Sequence, residues 1–145
     1  MMQLRWLPRP RDDGYRPKAA VRERMEVKTM DTLSPFEKQR LFEILATARA
    51  EDWERFVFLT DQPFSNTASM KEQFEDTSRL MKRISGEMRP DVVVKIHEDG
   101  SRLIFAKIAL DDLADNPILL MLHSTSERAD AVISIWIFYQ EMTFG

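Results

Sequence analysis

Cysteine is absent from the 145 residues. That removes disulfides, thiolate nucleophiles and cysteine-based zinc sites together, and it is compatible with a reducing cytoplasm, the location expected here. Glycine is scarce, at four residues. Gly14, Gly86, Gly100 and Gly145 stand far apart, so none belongs to a GxGxxG or GxxxxGK loop that could cradle a phosphate. Long apolar runs are missing as well. The longest, Ile118 to Leu122 and Ile135 to Tyr139, fall far short of the roughly 20 residues a membrane helix needs. The first eight residues, Met1 to Pro8, carry no apolar core of the kind a signal peptide has. No membrane association, no metal and no cofactor are expected.

What remains is ordinary in bulk: 43% hydrophobic and 31% charged residues in a chain long enough for one domain with a buried core. The distribution of charge is not ordinary. Residues 1–30 hold eight Lys/Arg against four Asp/Glu, a net of +4, whereas the remaining 115 hold thirteen against twenty, a net of −7. The formal net of −3 therefore conceals a basic segment joined to an acidic body. Pro8, Pro10 and Pro17 stiffen the basic segment and exclude a helix there, and Trp6 and Tyr15 punctuate it. Two units follow: a basic, proline-containing N-terminal arm over 1–30 and a single acidic α+β domain over 31–145.

Within residues 20–29, Val21, Met25 and Val27 fall on one side if the chain is extended, which favours a short strand. Ser34, Pro35 and Glu37 form a capping box with proline in the first turn, and Leu41, Ile44, Leu45 and Ala48 continue at helical spacing. This predicts a helix from about 35 to 51. Trp53 to Leu59 is rich in aromatic and β-branched residues, so a strand over 54–60 is the favoured alternative to a longer helix. Ser69 and Glu72 predict a second capping box. Met70, Phe74, Thr77, Met81 and Ile84 then form one stripe, with Gly86 as the stop and Lys71, Glu75, Arg79, Lys82 and Arg83 opposite.

After Pro90 the pattern is that of strands. Val92, Val94 and Ile96 alternate with Val93, Lys95 and His97, and Asp99-Gly100 signals a tight hairpin. A two-residue turn there sets His97 opposite Arg102, Ile96 opposite Leu103 and Val94 opposite Phe105. One hairpin face would then hold Val92, Val94, Ile96, Leu103 and Phe105. Strands at Ile118 to Leu122 and Ala131 to Gln140 are apolar on both faces. The predicted architecture is α+β, with two amphipathic helices on an antiparallel sheet of about four strands and a fifth contributed by 54–60. The predicted core contains Phe74, Met81, Ile84, Ile96, Phe105, Leu120 and Trp136. Two helices cannot cover both faces of such a sheet, so the second face is expected to meet the arm or another subunit.

Several groupings invite a chemical reading. His97 and His123 fall at the same end of a meander, near Glu98, Asp99, Ser124, Thr125, Ser126 and Glu127, from which a small hydrolase site could be drawn. Polar residues also gather in turns for backbone reasons, and that reading is favoured. Asp111, Asp112 and Asp115 lack the spacing of a calcium loop. The basic side chains of the second helix are interleaved with Glu72, Glu75 and Asp76, as on a solvated, salt-bridged face. The arm is the most informative grouping. Arg5, Trp6, Leu7, Arg9, Arg11, Tyr15 and Arg16 are expected to bind a protein partner or a second copy. Arginines interleaved with aromatics also suit nucleic acid, but the acidic body would repel a polyanion, so that reading ranks second. The chain is expected to be a non-enzymatic protein–protein interaction module: an adaptor, a regulator or inhibitor, or an assembly subunit.

Overall fold

The computed structural model describes residues 26–28 and 30–142. The elements run β1 (Glu26–Lys28), a 3-10 turn (Met30–Thr32), α1 (Pro35–Arg49), α2 (Trp53–Phe58), α3 (Thr67–Met81), β2 (Asp91–Ile96), β3 (Arg102–Ile108), β4 (Ile118–Ser124) and β5 (Ile133–Gln140). The strands form one antiparallel sheet in the order β1-β2-β3-β4-β5. The mixed α+β class and the meander are as expected.

Helix α1 starts as its sequence requires. The Ser34 side chain accepts from Glu37 N at 3.0 Å, and Glu37 Oε1 accepts from Ser34 N at 2.9 Å. Glu37 has a second partner that sequence reasoning did not anticipate. Its Oε2 accepts from Arg102 Nε at 2.8 Å, with both side chains buried, and Arg102 Nη2 donates to Thr32 O at 2.5 Å. A helix cap and a strand are thereby tied together inside the protein. A charge pair in that setting tolerates loss of one partner poorly, because the other is left buried and uncompensated.

At its other end α1 closes with a left-handed residue. Glu51 has φ 58°, Glu51 N donates to Ala48 O at 2.9 Å and Asp52 N to Thr47 O at 3.1 Å. That is a Schellman closure with glutamate where glycine is favoured. Asp52 then caps the next helix, accepting from Arg55 N at 3.1 Å. Residues 54–60 are therefore not a strand; α2 takes Trp53–Phe58 with Leu59 as its C-cap, and the fifth strand is β1, within the 20–29 segment. Local capping at Asp52 outweighed β propensity, and α2 buries Phe56 while leaving Phe58 79% exposed.

Helix α3 begins earlier than predicted. Asn66, not Ser69, is the N-cap, and its side chain accepts from Ser69 N at 2.9 Å. The stripe Met70, Phe74, Thr77, Met81 and Ile84 is buried. The helix ends at Met81, so Gly86, with φ 73°, shapes the loop beyond rather than stopping the helix.

The helices bury one face of the sheet. Val92, Val94, Ile104, Ala106, Ile108, Ile118, Leu120, Leu122, Ile133, Ile135 and Phe138 join the residues of α1, α2 and α3 in one core. Trp53, Phe56, Phe64, Phe74 and Phe138 form an aromatic cluster within it, the closest pair being Phe56 and Phe74 at 4.6 Å.

The hairpin register differs from the expected one by a single residue. Ile96 pairs with Arg102, Lys95 with Leu103 and Val94 with Ile104. His97 N donates to Ser101 O at 2.9 Å, and Gly100 takes φ 91°, so the loop holds three residues rather than two. One residue of slip moves every side chain of a strand to the other face. Leu103 and Phe105 therefore lie on the face away from the helices, and Arg102, Ile104 and Ala106 replace them inside. Trp136 is also displaced from the predicted core. It sits at an irregularity in β5, where Leu122 pairs with Ile135 but Met121 pairs with Ile137, and it is 50% exposed. Of the predicted core, Phe74, Met81, Ile84 and Leu120 are buried, and Ile96 is partly so.

Candidate functional site

The face of the sheet away from the helices is the first distinctive surface. Strand register places Val93, Phe105, Met121 and Ile137 in one row across four strands. A second row holds Lys95, Leu103, His123 and Ser134, and a third holds Asp91, Lys107, Leu119 and Tyr139. Leu119 is buried but belongs to no part of the helix-side core, and Tyr139 is 40% exposed. The Lys95 ammonium lies 5.1 Å from the Phe105 ring centre, and Lys107 pairs with Glu141 at 3.3 Å. Among the described residues no helix covers this face.

At one end of it the two histidines meet the β2–β3 turn. Asp99 accepts from Ser101 Oγ at 2.7 Å and from Ser101 N at 2.9 Å. These bonds hold its carboxyl below the usual carboxylate range, and His97 and His123 act in the same direction. His123 has its pKa lowered chiefly by burial, with His97 adding to the effect and Asp99 opposing it. The three groups thus share one rim, as the meander predicted. The neighbouring hydroxyls serve the backbone. Ser124 Oγ donates to Ser126 O at 2.8 Å, Thr125 Oγ1 accepts from Val132 N at 2.8 Å and Ser126 Oγ accepts from Arg128 N at 3.1 Å. His123 lies flat against Trp136, ring centres 4.7 Å apart and planes 2° from parallel.

Trp136 leads into the second surface, a cleft of about 470 Å³ where β5 departs from the loop before α3. The upper part of β5, an edge strand, is capped by that loop. Asp61 N donates to Ile133 O at 2.8 Å, Ile133 N to Asp61 Oδ2 at 2.8 Å, and Ile135 N to Thr60 Oγ1 at 3.0 Å. Arg40 steadies the loop by donating to Leu59 O at 2.8 Å and Asp61 Oδ1 at 3.0 Å. Beyond Gln62 the loop leaves the strand and the cleft opens between Phe64, Asn66, Met70 and Gln73 on one side and Met121, Trp136 and Ile137 on the other. No sequence signal pointed to it. It depends on the bulge at Trp136 and on loop docking from residues more than seventy positions away.

The remaining candidates are placed as follows. Arg5, Trp6, Leu7, Arg9, Arg11, Tyr15 and Arg16 lie outside the described residues. Asp111 accepts from Ser85 N at 3.1 Å and Ser85 Oγ at 2.8 Å, bracing the β3–β4 connector. Among the described residues no group of three or more His, Asp or Glu could hold a metal ion. On the outer side of α3, Arg79 pairs with Asp76 at 3.4 Å and Lys82 with Glu51 at 3.0 Å. No described helix is long and apolar enough to cross a membrane.

These features define an α+β layered protein with three helices on one face of an antiparallel sheet. No protein-family model matches the chain, and no curated protein or solved structure is significantly similar to it.

Proposed function

We propose that this chain is a protein-interaction module that associates with a second copy of itself, the outer face of its sheet meeting protein and its basic arm resting on the acidic body of the partner copy. The observation that carries this reading is the row Val93, Phe105, Met121 and Ile137, which crosses four strands on a face that no described helix covers. All four side chains are only partly covered, and what they leave open gains free energy by leaving water. The opposite signs of residues 1–30 and 31–145 supply the second contribution, since the arm of one copy and the body of another attract over a distance set by ionic strength.

Sedimentation velocity of the full chain tests the reading. Self-association is expected at about 100 µM protein. It should weaken when Trp6 and Leu7 are both changed to Ser, and weaken further on raising salt. A chain that stays monomeric at that concentration overturns the proposal. Nucleic-acid binding is the second reading, favoured by arginines interleaved with Trp6 and Tyr15 in the arm. A log-log fall of single-stranded oligonucleotide affinity with salt, lost on Arg-to-Gln changes at positions 5, 9 and 11, would support that reading instead.

A further inference from the structure

We propose that the cleft beside Trp136 binds a neutral saccharide, with the indole as its stacking platform and side-chain amides and hydroxyls as its hydrogen-bonding rim. The cleft, at about 470 Å³, is within the roughly 300–1,000 Å³ of small-ligand sites. None of the residues lining it is charged. A phosphate or carboxylate would find no cation there to offset its desolvation, so the lining selects an uncharged ligand.

The polar rim is suited to hydroxyl groups. Gln62, Ser65, Asn66, Ser69, Gln73 and Ser134 supply it. Asn66 Oδ1 is taken up by the α3 cap, accepting from Ser69 N at 2.9 Å, but the contacts of the two glutamine side chains are long. Ser134 Oγ donates to Gln62 Oε1 at 3.4 Å, and Gln73 Nε2 donates to Ser69 Oγ at 3.5 Å. Contacts of that length are weak, so both glutamines retain donor and acceptor capacity for a ligand. An amide offers both roles side by side, which matches the paired hydroxyls of a sugar.

The aromatic platform is single and pre-set. Phe64 is engaged with Trp53 at 5.8 Å and Phe56 at 6.1 Å, which leaves Trp136 as the exposed ring of the cleft. His123 backs Trp136 in a parallel stack and fixes the indole plane before any ligand arrives. The face of an aromatic ring is its negative side, and the axial C–H groups of a pyranose face present weak positive charge to it. One open indole face with amides at its border accommodates a sugar ring. An extended peptide strand would instead need a run of free backbone groups on the edge of β5, where Ile133 and Ile135 are already bonded to Asp61 and Thr60. A nucleotide would bring phosphates that the neutral lining does not match.

The test is a ¹H–¹⁵N correlation titration of the full chain with maltotriose, cellotriose and triacetylchitotriose, each to about 10 mM, in the affinity range where few hydrogen bonds and one stacked ring bind. At least one is expected to shift the amides of Gln62, Ser65, Asn66, Gln73 and Trp136 together. Trp136→Ala should weaken that binding about tenfold or more, and Trp136→Phe by less, because a stacking face remains. Gln73→Ala, which removes only one long contact from the folded protein, should also weaken it and carries the same test should Trp136→Ala fail to fold. The proposal is overturned if none of the three sugars shifts these amides, if adenosine or trialanine shifts them more strongly than any sugar, or if folded Trp136→Ala or Gln73→Ala binds as the unaltered chain does.

Discussion

Along β3, Ile104, Ala106 and Ile108 are sealed against the helices, while Leu103 and Phe105, each one residue away, look to the other side and keep part of their surface open. The same contrast repeats on β4, where Leu120 and Leu122 are fully buried and Met121 between them is only partly so. Residue type separates the two faces only in part, since the outer one mixes aliphatic and aromatic side chains with Asp91, Lys95 and Lys107. The inner face has three helices over it, packed at interior density, so each side chain there is held on all sides. The outer face has only its strand neighbours among the described residues. The comparison teaches that an apolar side chain contributes according to what closes over it.

Four substitutions would break or sharpen that contrast. Phe74→Ala, in the aromatic cluster against the inner face, should lower stability by about 3–5 kcal/mol, whereas Phe105→Ala on the outer face should cost about 1 kcal/mol in the isolated chain. Urea unfolding of the two variants gives the comparison directly, and equal losses would mean that the outer face is as well covered as the inner. Arg102→Leu should cost a comparable 3–5 kcal/mol, because it strands the buried Glu37 carboxylate on the inner side. The double change Glu37→Leu with Arg102→Leu should recover much of that loss in the same assay; no recovery would show that the pair serves more than mutual neutralisation.

Glu51→Gly should raise the thermal midpoint modestly, by a free energy of about 0.5–1 kcal/mol, since glycine takes the left-handed conformation without strain. A loss of stability would show that the Glu51–Lys82 ion pair outweighs the backbone relief. The smallest effect concerns His123. Burial favours its neutral form, so the folded state binds its proton less readily than the unfolded chain does. The stability it supports is whole above the ordinary histidine value of 6.5 and is lost as pH falls through the depressed folded value. The denaturation midpoint of the unaltered chain should therefore drop more between about pH 7.5 and pH 5 than that of His123→Phe. Equal drops would place His123 in a more solvated setting than its stack on Trp136 implies.

Much of this architecture was readable residue by residue. Ser34, Pro35 and Glu37 announced α1, the Met70 to Ile84 stripe announced the buried side of α3, and alternation after Pro90 announced the meander, because each signal is contained within one or two turns of chain. The face assigned to Leu103 and Phe105 was not readable. It hung on whether the Asp99-Gly100 turn closes over two residues or three, a difference that local sequence barely distinguishes and that the buried Arg102–Glu37 pair shares in deciding. Trp53 to Phe58 forms a helix although its aromatic content speaks for a strand, because Asp52 and the closure of α1 start a helix there.

By itself, the sequence determined the α+β class, the amphipathic stripes, the excess of apolar strand surface and the split between a basic segment and an acidic body. These follow from composition and short-range period, which do not depend on what lies across the fold. Tertiary structure alone decided which strand face is closed, where Trp136 turns outward against His123, and how Thr60 and Asp61 cap one half of an edge strand and leave a cleft beside the other. Each of those outcomes joins residues thirteen to seventy-five positions apart, and only the folded chain brings them within hydrogen-bonding or stacking distance.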